Sequence, residues 1–185
     1  NISVTAGTTY DSMFDVPTNT SATVANYAVW NPLRCGANMV PTQANLSGLT
    51  TATVAQSVAA TIGVSSGKWY WEITNAGGSL SYTGIVDSTH EMSTYIGSAT
   101  LGSGWAYNTS GEKVGPTSGT TAAYGATYTT NDIIGVALDM DAGTLVFYKN
   151  NASQGTMVTG LTGTWFPAVS GNGVSGKGGY ANFGQ

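Results

Sequence analysis

Asn131-Asp-Ile-Ile-Gly-Val-Ala-Leu-Asp-Met-Asp-Ala-Gly-Thr-Leu-Val-Phe-Tyr-Lys-Asn150 is the stretch that decides the fold. Residues 133–138 form a nearly continuous apolar run, short enough for a strand and suited to the middle of a sandwich. Asp141-Ala-Gly143 then supplies a short loop with glycine where a positive φ is needed, as in a type I turn followed by a bulge. Residues 144–148 return as a second strand, and Lys149-Asn-Asn151 provides the next turn. The reading is a β-hairpin.

Upstream, Trp69-Tyr-Trp-Glu-Ile-Thr74 alternates, with Trp69, Trp71 and Ile73 on one face and Tyr70, Glu72 and Thr74 on the other. Downstream, apolar stretches at 157–161, 165–169 and 180–183 are each bounded by Gly, Ser or Asn. Helical periodicity is nearly absent. Many short strands separated by turns predict an all-β fold, a sandwich or a barrel. Residues 1–30, rich in Thr, Ser and Asn, read as an N-terminal arm or linker that could add an edge strand, and residues 31–185 as the domain. Residues 108–126, with Gly111, Gly115, Pro116 and Gly119, read as a long polar loop.

Composition narrows the function. The 185 residues suit one core, and 41% are hydrophobic, which excludes disorder. Charged residues make up 8%, against roughly 25% in an average domain. The five cations (Arg34, Lys68, Lys113, Lys149 and Lys177) are scattered in a chain of net charge −4, so no basic stripe exists for nucleic acid. No run approaches the roughly 20 apolar residues of a membrane span. Cys35 is the single cysteine, which leaves no internal disulfide and no cysteine-based metal cluster. No cofactor is expected. Asn-x-Ser/Thr triplets begin at Asn19, Asn45, Asn108 and Asn151, a frequency that a Ser- and Thr-rich chain produces by chance.

The ordered segments resemble the SPRY family, within the concanavalin A-like jelly-roll sandwiches. They are Gly67-Lys-Trp-Tyr-Trp-Glu-Ile73, Tyr82-Thr-Gly-Ile-Val86, Gly104-Trp-Ala-Tyr107, the hairpin of residues 131–150, Gly163-Thr-Trp-Phe-Pro-Ala-Val169 and Ala181-Asn-Phe-Gly184. The hairpin is the most specific, and the resemblance spans residues 55–185. It implies two antiparallel sheets face to face, recognition through loops at one end, and no catalytic apparatus. Asn131-Asp132 stands where the family's Gly-Asp usually precedes the central strand. The family's peptide-binding loops do not match residue by residue. Asp15-Val-Pro-Thr-Asn19 and Asn26-Tyr-Ala-Val-Trp-Asn-Pro-Leu33 resemble the lead-in to SPRY-like domains of bacteriophage structural and tail-fibre proteins. That second resemblance implies a virion surface, on a phage tail or capsid exterior, or otherwise an extracellular setting. A trimer would suit a fibre, though the residues show no trimer seam.

Enzymatic alternatives meet missing partners. Glycoside hydrolysis needs two carboxyls about 5 to 10 Å apart. Glu72 has no second carboxylate two or four residues away on its strand face, so polysaccharide depolymerase is the weaker reading. Asp87 and Glu91 flank His90, the only histidine, in a probable loop, and no Gly-x-Ser-x-Gly elbow accompanies it. Asp139-Met-Asp141-Ala-Gly143 starts like a calcium loop but carries Asn150 at the twelfth position. Binding remains. The candidates are Tyr82, Tyr95, Trp105, Tyr107 and Tyr124 as aromatic contacts, with Asp87, His90 and Asn108 as polar ones. Trp105 and Tyr107 fall in a motif that packs toward the core. The expected partner is a bacterial surface glycan or protein receptor met through loops around 75–82, 87–104 and 108–126. The alternative is a structural module that docks to other virion proteins or to a host complex.

Overall fold

A computed structural model of the chain describes residues 19–21, 24–25, 27–98, 103–116 and 121–185. Fifteen strands are present and no helix occurs among the described residues. Seven strands form one sheet in the order β10 (Thr121–Ala123), β9 (Glu112–Val114), β8 (Gly104–Asn108), β7 (Ser81–Val86), β14 (Phe166–Gly171), β5 (Gln56–Ala60) and β3 (Trp30–Cys35). Six form the other: β13 (Ala152–Val158), β12 (Thr144–Lys149), β11 (Ile133–Asp139), β6 (Lys68–Asn75), β15 (Gly178–Asn182) and β4 (Ser47–Leu49). Every ladder is antiparallel.

The hairpin forms as its sequence predicts, with β11 and β12 in register from Ile134–Lys149 to Asp139–Thr144. Gly143 takes φ +65° at the turn. Asp139 Oδ1 accepts the amides of Asp141 and Ala142 at 3.1 and 2.9 Å, and Asp141 Oδ1 accepts that of Gly67 at 2.7 Å. Asn150 and Asn151 both adopt positive φ (47° and 68°), as a two-residue type I′ connection requires. Asn150 Oδ1 also accepts the amide of Ile133 at 2.8 Å.

Between the sheets lie Trp30, Val58, Trp71, Ile73, Ile85, Tyr107, Ile134, Val136, Leu138, Leu145, Phe147 and Val169, all buried. The Trp face of β6 is therefore the inner one and the Tyr70 face the outer. At this packing density a core aliphatic contributes about 1.5–3 kcal/mol by leaving water.

One expectation changes. Residues 108–126 are not one loop: β9 and β10 pair within them, Glu112 opposite Ala123, because Asn108 folds the chain back. Its Oδ1 accepts the amides of Ser110 and Glu112 at 3.0 Å each. Within the expected arm, residues 1–18 lie outside the described set. Asn19–Ser21 (β1) and Val24–Ala25 (β2) form a small separate ladder. Trp30 opens β3 at the edge of the seven-stranded sheet, fully buried, with its ring edge-on to Phe183 at 5.2 Å.

Candidate functional site

The eight expected contact residues divide into three groups. Asp87, His90 and Tyr95 belong to a segment, residues 87–98, that lies over the outer face of the seven-stranded sheet. Ile96 is fully buried there with Ala59, Tyr82, Val86, Ala106, Val114 and Ala168, while Met92, Tyr95 and Phe166 pack at the margin. Polar residues on that face tie the segment down. Ser57 N donates to Met92 O at 2.9 Å, the Ser57 hydroxyl donates to Thr94 O, and Ile96 N donates to Ser170 Oγ at 3.1 Å. Tyr82 and Tyr95 stack on each other, centroids 5.0 Å apart. One face of each ring is thereby used.

His90 is buried, with Nε2 3.2 Å from Ser57 Oγ. The Ser57 hydrogen is committed to Thr94 O, so Nε2 carries the imidazole proton and donates, and buried Nδ1 is left without a partner among the described residues. Burial pushes the His90 pKa down to about 4; nearby Arg34 adds to the effect and Asp87 opposes it. No nucleophile elbow surrounds Ser57, so nothing in the local sequence marks it. His90 carries this contact from the segment into the sheet, where Ser57 is fully buried. Burial raises the Asp87 carboxyl, but hydrogen bonds from the Thr89 hydroxyl and amide outweigh it and hold the group below the ordinary carboxylate range.

Tyr107, Tyr124, Trp105 and Asn108 form the second group, which faces inward or serves turns. Tyr107 is fully buried against Tyr124, Tyr128 and Phe147, its hydroxyl donates to Ala126 O, and burial pushes its phenol up to about 12. It exposes no ring face to a ligand. Tyr124 is partly buried; its hydroxyl donates to Gly155 O at 2.5 Å and accepts from Phe147 N at 3.1 Å, bridging the irregular ladder between β12 and β13. Trp105 packs partly buried at the core margin, and Asn108 is buried in its turn. Burial, which sequence spacing does not report, encloses Tyr107 and Asn108 and leaves Trp105 and Tyr124 half-buried.

The third group is new, and it surrounds the one remaining candidate, Tyr82. Leu80, just before β7, is a non-glycine residue at φ +57° with 40% of its surface exposed. Its carbonyl accepts the amide of Asn172 at 3.0 Å. Leu80 lies beside Gly173, and the next residue, Val174, is 42% exposed. Asn172 directly follows β14, whose Ser170 pairs with Tyr82 on β7. Two aliphatic side chains, Leu80 and Val174, are thus partly exposed at the end of the sandwich where β6 passes to β7. A leucine in the left-handed region costs of order 1–3 kcal/mol and persists only where its surroundings impose it. Only the neighbouring Gly77-Gly78 dipeptide hints at such a turn in the sequence.

Glu72 faces Gly135 and Asn182 across its two ladders, and Tyr70 donates to its Oε1 at 2.9 Å. No carboxylate stands opposite it on either neighbouring strand. The described residues contain no group of three or more His, Cys, Asp or Glu side chains that could hold a metal ion, and Asp139 is engaged by Lys68 at 3.0 Å.

The SPRY domain family profile matches residues 68–185, well over half the chain. Among solved structures, the SPRY domain of human HERC1 superposes with a TM-score of 0.66 at 15% identity, covering 82% of this chain and 96% of that one. Stonustoxin superposes with a TM-score of 0.63 at 20% identity over 78% of this chain, which spans only 25% of the toxin chain. Both likenesses concern the fold.

Proposed function

The chain belongs to the SPRY domain family, whose members generally serve as non-catalytic protein-recognition modules, and on that premise we propose that it docks a protein partner through the loop face of Leu80, Asn172 and Val174. The observation that carries this reading is Leu80, an apolar side chain held in water by a strained backbone. Strain of that kind persists where it positions a contact, and Leu80 and Val174 are both large aliphatic side chains exposed on that loop face. The polar, weakly charged rim suits a neutral partner.

The setting we propose is a virion exterior, supported by the low charge, the Thr, Ser and Gly content and the phage-like lead-in at residues 15–33. The partner is then a receptor protein on the bacterial surface or another virion protein.

The test presents the purified chain to immobilised bacterial outer-surface protein and, in parallel, to a bacterial glycan array, with the variants Leu80→Gly/Val174→Ser and Tyr95→Ala. Saturable binding to protein that the first variant loses supports the reading. Array binding lost only by Tyr95→Ala replaces it with glycan recognition. Protein binding indifferent to both variants removes the loop face.

A further inference from the structure

The opposite end of β6 is built differently. β11 accompanies β6 along its length, from Thr74 to Lys68, but β15 pairs with it only from Asn75 to Glu72. β15 stops because Asn182 Oδ1 captures the amide of Gly184 at 3.0 Å while Gly184 turns away at φ +99°. Among the described residues no strand pairs with residues 68–71 on that side. An open edge of unpaired N–H and C=O groups is a template for another strand.

The notch left by β15 opens into an apolar pocket walled by Val64, Trp69, Tyr70, Trp71, Pro167 and Phe183. A shallower depression continues over the outer face past Tyr70, Trp71, Glu72, Asn182 and Gly184. Trp71 belongs to both walls, and its buried indole N–H has no acceptor among the described residues.

Charge distinguishes the two halves. Lys68 is held by Asp139 at 3.0 Å and Lys149 by Asp132 at 3.4 Å, while Arg34 bonds the Asp87 carbonyl and covers the Phe166 ring. Glu72 has only the Tyr70 hydroxyl as partner, and no cation lies within ion-pair distance of it among the described residues. The carboxylate on the rim is uncompensated.

We propose that this notch is a strand-addition site, where an extended segment of a partner protein pairs with the open edge of residues 68–71. It inserts an apolar side chain between Trp69, Trp71 and Phe183 and sets a Lys or Arg over Glu72. Main-chain hydrogen bonds hold such a segment, and alternate side chains read it. Successive strand residues point to opposite faces, so the buried apolar residue and the cation are neighbours in sequence. The site is separate from the Leu80 face and does not depend on that reading.

Selection of a displayed random heptapeptide library on the 185-residue chain tests it. The expected result is enrichment of apolar residues adjacent to Lys or Arg, with bound peptides shifting the Trp69 and Trp71 indole resonances. Glu72→Gln keeps the shape of the site; it should weaken those peptides about 2- to 5-fold at low salt and abolish the basic preference. Peptides should still bind Leu80→Gly/Val174→Ser, so the two readings fail separately. Absence of the enriched pair, or peptides that shift Leu80 and Val174 amides and ignore Glu72→Gln, overturns the proposal. A concentration-dependent dimer of the free chain that Tyr70→Ala dissolves also overturns it, in favour of self-association.

Discussion

The two outer faces of the sandwich are treated in opposite ways. On the seven-stranded sheet, residues 87–98 lie across Ala59, Val86, Ala106 and Ala168, pinned by Ser57 and Ser170, and turn an outer face into a second small core. On the six-stranded sheet, Tyr70, Ile133 and Tyr180 stand 53%, 40% and 37% exposed, with no described segment above them. A long loop is therefore not free for recognition merely because it is long: this one is occupied in sealing a sheet. The surfaces left for partners are the ends of the strands and the bare face.

The sharpest way to break the comparison is to unseat the seal. Ile96 is fully buried and meets Gly104 closely enough that no Cβ fits there, its Cγ2 lying 2.7 Å from where one would be. Ile96→Ala should cost about 2–5 kcal/mol in urea unfolding, the usual range for emptying a buried aliphatic site. A loss under about 1 kcal/mol would mean that the segment is a loosely held loop after all.

A second test uses His90, which the same segment turns inward onto Ser57. Its folded pKa, depressed to about 4 by burial and by Arg34, with Asp87 opposing, lies below the unfolded value near 6.5. Below pH 6.5 the unfolded chain takes up the proton first. Stability is thus complete above that pH and falls as pH drops from about 6.5 to 4, by about 2–3 kcal/mol. His90→Gln should flatten the curve in this window. The half-buried Asp87 titrates lower: burial raises its carboxyl, but the hydrogen bonds it accepts outweigh that and hold its pKa below the ordinary range, so its contribution is lost further into acid. An unchanged slope in the variant would place His90 in water.

Leu80→Gly gives a smaller effect of opposite sign. Glycine accepts φ +57° without strain but loses more chain entropy on folding. The two terms leave the variant unchanged or more stable by up to about 1 kcal/mol, while binding at the loop face falls. Destabilisation beyond that would identify Leu80 as packed structure, not as a displayed contact.

Much of this architecture was legible in the residues. The hairpin at 131–150 and the alternation at 69–74 set strand type and turn positions, because turn chemistry and period-two patterning are local signals, while the choice of inner face depends on what packs against it. What sits on top of a sheet is not local. His90 and Ser57 are 33 positions apart and nothing near either residue announces their contact. Tyr107 falls in a motif that reads as packing toward the core and Tyr124 among glycines and threonines, yet both turn into one cluster with Phe147. Tyr70 passed as half of a strand's alternation, although its outward face, lying over Gly135, lines the notch beside Glu72. Asn108 looked like the start of a loop because the Asx geometry that folds β9 back depends on where its side chain points.

The smallest predicted effect tests the bare face. Tyr180 lies opposite Thr74 on β6 and Ser47 on β4, both polar neighbours, and projects outward with no aromatic partner. Its removal therefore forfeits little packing, and Tyr180→Ser should change stability by no more than about 0.5 kcal/mol, as for exposed sites free of special contacts. The measurement is a urea midpoint at neutral pH beside that of Ile96→Ala. If the two variants lost comparable stability, the outer face of the six-stranded sheet would be buried in the folded chain, and the contrast between a sealed and an open sheet would fail. If Tyr180→Ser is neutral, that face is held exposed without helping the fold, and its aromatics are available to the partner that enters beside Glu72.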